Sequence, residues 1–216
     1  MTTTDSLGVG LYSVVEASRL LGTPRRTLSR WVEGYVTELR EGTKHHPPVI
    51  DPEDDSPLTF GDLVELMYVR GFRNEGVDLR IIREVATKFR QQWQTQYPFA
   101  TERFAANGRD LLIGEGQEWK HALTGQHNAF FEDIGKLLVH KGDLTTEWRP
   151  LGRDHQVVLN PDRAFGKPID APSGAHTYVL AQAASEKNFK EVAWWYGTTE
   201  AAVEDAVKFE MSLRAA

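Results

Sequence analysis

The sequence predicts a mainly α-helical chain with short β-hairpins, built as an N-terminal winged helix-turn-helix and a C-terminal three-helix domain. Three observations carry this. Two short amphipathic patterns near the N-terminus are separated by only two or three residues, and a hairpin pattern follows them. Apolar residues then repeat at helical spacing from Phe60 to about Trp93. Three further helical patterns, broken near Gly197, close the chain. Three segments follow: 9–94 as the helix-turn-helix domain, 95–152 as a connecting region, and 153–216 as an interaction domain.

Ser13-Val14-Val15-Glu16 reads as a capping box, in which the Ser13 hydroxyl and the Glu16 carboxylate satisfy each other's backbone amides. A helix from Val14 to Leu21 should bury Val14, Ala17, Leu20 and Leu21, and Gly22 should stop it. Thr23 is expected to cap a second helix, with Pro24 at its first position. So short a gap forces the two helices to cross sharply. Leu28, Trp31, Val32 and Tyr35 form the expected inner face of the second helix. Arg25, Arg26, Thr27, Ser29 and Arg30 are its candidate DNA contacts. Arginine forks onto guanine or phosphate, and hydroxyl residues meet backbone oxygens or bases. An ordinary helical hairpin with a solvated basic face is the alternative.

Residues 36–52 read as a hairpin: a strand Val36–Leu39, a turn Glu41–Lys44, and a return strand Pro48–Ile50. Such a hairpin after a recognition helix is a wing, and Lys44, His45 and His46 at its tip are candidate phosphate or minor-groove contacts. His45 and His46 lack a third ligand nearby, which weakens a metal reading. Thr59 and Asp78 should cap the next two helices, the second buried along Ile82, Val85, Ala86, Phe89 and Trp93. Asn107-Gly108 predicts a type I′ turn in a hairpin over Arg103–Ile113. A helix is expected over Gln126–His140, with Phe130, Ile134, Leu137 and Leu138 inward. His155–Leu159 should form a short strand. Helices should follow over Tyr178–Glu186, over Phe189–Tyr196, and from Thr198 or Thr199 onward, the last turning Val203, Ala206, Val207, Glu210 and Met211 inward.

The net charge is −6, which argues against coating nucleic acid by bulk charge. The charge is uneven, however. Between Leu11 and His46, Arg19, Arg25, Arg26, Arg30, Arg40 and Lys44 outnumber Glu16, Glu33, Glu38 and Glu41, whereas Asp51, Glu53, Asp54 and Asp55 follow at once. The last helix carries Glu200, Glu204, Asp205 and Glu210 against Lys208, a face that phosphate would repel, so the C-terminal domain is read as a protein-contact module. Trp194 and Trp195 should place one ring inward and one sideways, as core or as an interface anchor. Trp194, Trp195 and Phe209 are the candidate partner contacts.

Chemistry is not indicated. There is no cysteine, which excludes disulfides, thiolate metal sites and a cysteine nucleophile and is compatible with a reducing cytoplasm, the expected location. The seven histidines form no H-x-x-x-H pair, no G-x-S-x-G elbow exists, and Gly114-Glu115-Gly116 lacks the lysine and hydroxyl of a phosphate loop. No enzyme activity, metal or cofactor is expected. No apolar run reaches 18 residues, so no membrane span is expected. Residues 1–5 carry neither the basic start nor the apolar core of a signal peptide and are read as a short disordered lead.

Leu11–Ala17, Leu20-Leu21-Gly22, Thr27–Trp31, Leu58–Leu66 and Gly76–Arg83 together resemble the DNA-binding domain of MerR-type regulators over residues 9 to about 94. Val158-Leu159-Asn160-Pro161 with Phe165-Gly166-Lys167-Pro168-Ile169 resembles the opening of the domain of unknown function 433. That family usually continues with a glycine-threonine-arginine segment, where this chain has Ser173-Gly174-Ala175-His176-Thr177. The two together resemble VapB-type antitoxins. The resemblance implies operator DNA and a PIN-type toxin ribonuclease as partners, repression of the chain's own operon, and assembly as a homodimer. A MerR-like regulator without a toxin, its C-terminal domain serving assembly or effector sensing, is the alternative. Removal of residues 153–216 is expected to spare monomeric DNA contacts and to abolish partner binding.

Overall fold

Local capping chemistry starts each of the first helices. In the computed structural model, which describes residues 7–9, 12–40, 42–50, 57–115 and 128–215, α1 spans Val14–Leu20. Ser13 Oγ accepts from the Glu16 amide at 3.2 Å and Glu16 Oε2 accepts from the Ser13 amide at 2.9 Å, the expected box. The expected N-terminal lead, the acidic run Asp51–Asp55 and the start of the helix expected at Gln126 lie outside the described residues.

Helix α2 spans Arg25–Val32 and buries Leu28 and Trp31. Its cap is Pro24 rather than Thr23, because the Pro24 carbonyl accepts the first helical bonds, from Thr27 and Leu28. Thr23 is buried and its hydroxyl donates back to the Leu21 carbonyl at 3.3 Å. The helix ends before Tyr35, which opens β1 (Tyr35–Leu39).

The return strand β2 is Gly42–His46, not Pro48–Ile50. Leu39 pairs with Gly42, so only two residues make the turn. Pro47 and Pro48 have no amide hydrogen to extend the ladder, which ends at His46. Val49 and Ile50 instead turn into the core, with the Val49 amide on the Trp31 carbonyl at 2.7 Å.

Helices α3 (Phe60–Asn74) and α4 (Leu79–Trp93) follow as expected, capped by Thr59 and Asp78. α3 is buried from Phe60 through Val69 and again at Gly71 and Phe72, which makes it the central element. The expected hairpin over Arg103–Ile113 is a helix, α5 (Glu102–Gly114). Phe104 and Leu112, eight residues apart, share one helical face, and both are fully buried. The Phe104 ring meets Tyr68 edge-on at 5.2 Å and lies 4.7 Å from Phe99. That burial overrides the turn preference of Asn107-Gly108, which sit inside the helix.

Helix α6 (Asn128–Leu137) stops before His140, because the chain enters a hairpin of β3 (Leu138–Lys141) and β4 (Leu144–Trp148) that sequence reasoning missed. Thr145 ties this hairpin down: its amide and hydroxyl both donate to the Ala100 carbonyl, at 3.0 and 2.8 Å. Val157–Val158 (β5) pairs antiparallel with Ile169–Asp170 (β6). Helices α7 (Thr177–Glu186), α8 (Phe189–Tyr196) and α9 (Glu200–Ala215) complete the described chain. Among the described residues no helix is long and apolar enough to cross a membrane.

Two apolar clusters organise these elements. The larger joins α1–α4 to Phe99, Phe104, Leu112, Ile134, Leu138, Trp148 and Leu159, so residues 95–152 share the core of the helix-turn-helix. The smaller holds Leu180, Val192, Ala193, Val203 and Ala206 of α7–α9. Met211, expected inward on α9, is 65% exposed, and Ala202 and Phe209 are buried in its place.

The carboxyl group of Glu65 lies inside the larger core. Glu65 Oε1 accepts from the Phe99 and Ala100 amides at 2.6 and 3.2 Å, and Oε2 faces Arg90 Nη2 at 3.9 Å. Burial pushes its carboxyl up to about 8, against the lowering effect of Arg90 and the two amides. A raised acid pKa means that the fold prefers the protonated form. Stability from this group is therefore fullest below the unfolded value of about 4.5 and is lost as pH rises toward 8. Glu65→Gln keeps an acceptor for both amides and should flatten the pH dependence of urea unfolding across that window. An unchanged slope would show that Glu65 is not its source.

Candidate nucleic-acid interface

Burial of Leu28 and Trp31 against the core turns the opposite face of α2 outward. Arg25, Arg26 and Arg30 are exposed there, with Thr27 and Ser29 half-buried beside them. Among these residues Arg30 is also held from the wing side. Its guanidinium lies 5.0 Å from the Tyr35 ring centroid, and Tyr35 stacks on His46 at 4.3 Å with the rings 7° from parallel. This Arg30–Tyr35–His46 stack joins the last turn of α2 to both wing strands. Burial lowers the His46 pKa from its ordinary value, Lys44 and Arg83 push the same way, and Asp78 opposes them. The ring stacked on Tyr35 therefore favours its neutral form.

The wing differs from expectation in one respect. Lys44 and His45 are exposed in mid-strand, opposite Thr37 and Val36, and are not at the tip. The tip carries Leu39, Arg40 and Gly42, because the two-residue turn falls earlier in the chain than the sequence reading placed it.

Between the wing and the first turn of α4 runs a groove with Lys44, His45 and His46 on one wall and Arg80 and Arg83 on the other. It continues past Arg73 to Arg30 and Thr27 on α2. Arg83 Nε donates to the Pro48 carbonyl at 3.2 Å and so pins the base of the wing to α4. Arg73 Nη1 donates to the Val77 carbonyl at 2.6 Å and braces the α3–α4 turn. Arg70 donates to the Leu21 carbonyl at the end of α1. Sequence reasoning overlooked these four arginines. The signal was present: Arg70 and Arg73, then Arg80 and Arg83, flank the short Asn74-Glu75-Gly76 turn at i,i+3 spacing, which places each pair on one helical face. Asp78 and Glu84 line the same groove, and Glu84 pairs with Arg80 at 3.1 Å, so the excess positive charge rests on Lys44, Arg73 and Arg83, and the face suits a polyanion although the whole chain is acidic.

Of the expected partner contacts, Trp194 and Trp195 both point outward, at 80% and 54% exposure, so neither ring serves the core. Lys187 Nζ lies 5.0 Å from the Trp195 ring centroid. Phe209 is only 2% exposed and is a core residue of α9, so it offers no surface to a partner. On a helix whose buried positions are Ala202, Val203, Asp205, Ala206 and Phe209, the apolar stripe runs through Phe209 and leaves Met211 outside.

Residues 10–86 match the family described as "Putative DNA-binding HTH domain". This part of the chain is a helix-turn-helix domain. Over the whole length, the chain is similar to "Uncharacterized protein Rv2308" of Mycobacterium tuberculosis, at 25% identity covering 100% of this chain and 96% of that protein. It is likewise similar to "Putative antitoxin VapB45" of the same organism, a distant homologue at 26% identity covering 92% of this chain and 93% of that one. The crystal structure of Rv2018 from M. tuberculosis superposes with a TM-score of 0.68 at 25% identity, over 92% of this chain and 98% of that chain.

Gly34 is the joint between α2 and the wing. Its φ is +75°, and an added Cβ would stand 2.5 Å from the His46 carbonyl oxygen. Gly34→Ala should therefore lower stability by about 1 kcal/mol or more and separate Tyr35 from Arg30 and His46. Chemical denaturation and the ring-shifted resonances of His46 would check this, and a variant with unchanged His46 shifts would refute the role assigned to Gly34.

Proposed function

We propose that this chain is a DNA-binding antitoxin that neutralises a PIN-type ribonuclease toxin and represses its own operon. The observation that carries the reading is the α2 surface, where Arg25, Arg26 and Arg30 stand outside a helix packed by Leu28 and Trp31, beside a wing bearing Lys44 and His45. The helix-turn-helix match over residues 10–86 and the full-length similarity to a protein named as an antitoxin support it. In this reading α2 enters the major groove, its arginines meet bases and phosphates, and the wing follows the backbone. A homodimer sets two such helices about 34 Å apart, one turn of DNA, on a palindrome. The toxin docks on the C-terminal helices, with Trp194 and Trp195 as anchors, since large aromatic side chains dominate protein interfaces.

Two experiments test the two halves of the proposal. Arg25→Ala with Arg30→Ala should weaken binding to the DNA upstream of the gene, and each lost phosphate contact should lower the salt slope by about one. An unchanged gel shift would overturn the assignment of α2. Trp194→Ala with Trp195→Ala should abolish co-purification of a PIN-type nuclease encoded beside the gene while leaving the gel shift intact. Retention of the nuclease would remove the tryptophans from the interface.

A further inference from the structure

The C-terminal half of the chain reaches back and touches the first helix of the helix-turn-helix. Tyr12, which precedes α1, is buried, and its hydroxyl donates to the Gly166 carbonyl 154 residues away. Next along the chain, Lys167 Nζ lies 2.6 Å from Glu16 Oε1 and 5.3 Å from the Tyr12 ring centroid. The same Glu16 carboxylate accepts from the Ser13 amide and hydroxyl at 2.9 and 3.0 Å, so the group that caps α1 also holds Lys167. Burial alone would raise the Glu16 pKa. The hydrogen bonds from Lys167 and Ser13 outweigh it and hold the carboxyl below its ordinary value.

The turn that presents these groups is unusual. Ala164, Phe165 and Gly166 follow one another at φ values of +49°, +52° and +76°. Side chains larger than glycine rarely adopt this region, and such conformations persist only where surrounding contacts over-determine them. Here the turn is closed by its own backbone bonds, from the Gly166 amide to the Arg163 carbonyl and from the Lys167 amide to the Ala164 carbonyl, both at 3.0 Å, and it is seated against Tyr12 and Glu16 through Gly166 and Lys167. A Cβ at Gly166 would collide with the Tyr12 hydroxyl, so this position requires glycine both for its backbone and for its neighbour. Phe165 is left 69% exposed, which shows that the turn is not held by burial of its own aromatic ring. Tyr12 is fixed on its other side by a pair of 2.9 Å backbone bonds to Leu58. The turn therefore grips a rigid point.

We infer that Tyr12, Gly166 and Lys167 are positioning residues for DNA reading, forming a clamp through which the C-terminal half sets the pose of α1 and, packed against it, α2. The inference rests on the proposed DNA reading but concerns residues that touch no DNA. It revises the expectation that residues 153–216 are dispensable for DNA contact: removing them removes the clamp.

The test uses the full chain with Lys167→Met, which deletes the charge but keeps a stem over Tyr12, and Lys167→Arg as the conservative variant. The first readout needs no DNA. Hydrogen exchange of the α1 and α2 amides should quicken in Lys167→Met, stay near wild type in Lys167→Arg, and remain unchanged in α3 and α4 in both. The second readout is affinity for a duplex spanning the DNA upstream of the gene, with a mixed-sequence duplex as reference. Lys167→Met should weaken upstream binding roughly five- to tenfold, within the range of ordinary inter-site coupling, with an unchanged salt slope. Lys167→Arg should restore it. Exchange rates equal to wild type in Lys167→Met would overturn the clamp. A salt slope lowered by about one would also overturn it, by making Lys167 a phosphate contact in its own right. A wild-type chain that binds neither duplex, while Lys167→Met loosens α1 and α2, would refute DNA reading and leave the clamp standing as a positioning device.

Discussion

Burial of α3 on almost every side constrains the rest of the larger core. A helix with apolar groups around most of its circumference must be covered by several partners at once. α1, α2 and the Val49-Ile50 segment supply one part of that cover, α4 another, and the Phe99–Phe104 region with α5 a third. This is why residues 95–152 do not stand apart as a linker. Glu65 reinforces the arrangement by receiving the Phe99 and Ala100 amides inside the core. Burial favours the protonated carboxyl group, and the two amides that donate to Oε1 select one docking of that turn over others.

The candidate interface inherits its shape from this core. Leu28 and Trp31 face inward, so the arginines of α2 must face out. Arg83 on α4 holds the base of the wing, and the Arg30–Tyr35–His46 stack holds the wing to α2. The basic groove is thus braced from two sides by residues that also supply its charge. Local charge outweighs the net value of −6 because fields at a surface decay within about 10 Å at ordinary salt.

The contact between Lys167 and Glu16 changes how the two halves of the chain relate. Modules joined by a flexible linker would act independently. Here residues 166–167 return to Tyr12 and α1, and α9 packs against α1 as well, which gives the C-terminal helices a physical route to α1 and, through it, to α2. Coupling requires such a route, together with an element whose position both sites can bias.

The sequence by itself determined the helices that begin with a cap and repeat apolar residues at helical spacing. Ser13 with Glu16, Thr59, Asp78 and Thr199 announce their helices through chemistry confined to three or four residues, and Arg25, Arg26 and Arg30 fall on the outer face of α2 by periodicity alone. What depends on distant partners was not legible. Asn107-Gly108 reads as a turn until Phe104 and Leu112 are seen packed against the Tyr68 and Phe99 region. The β3–β4 hairpin is secured by Thr145 on the Ala100 carbonyl, 45 residues away in the chain. Of Trp194 and Trp195 the pattern turns one ring inward, yet both are exposed, and Phe209, expected at a partner surface, is core, because a short three-helix unit has one small core whose axis only packing selects. The tertiary structure alone brought Arg80 and Arg83 beside the wing and Lys167 onto Glu16. Long-range contacts of this kind join residues that share no local pattern, and the burial that holds them is decided by the whole fold.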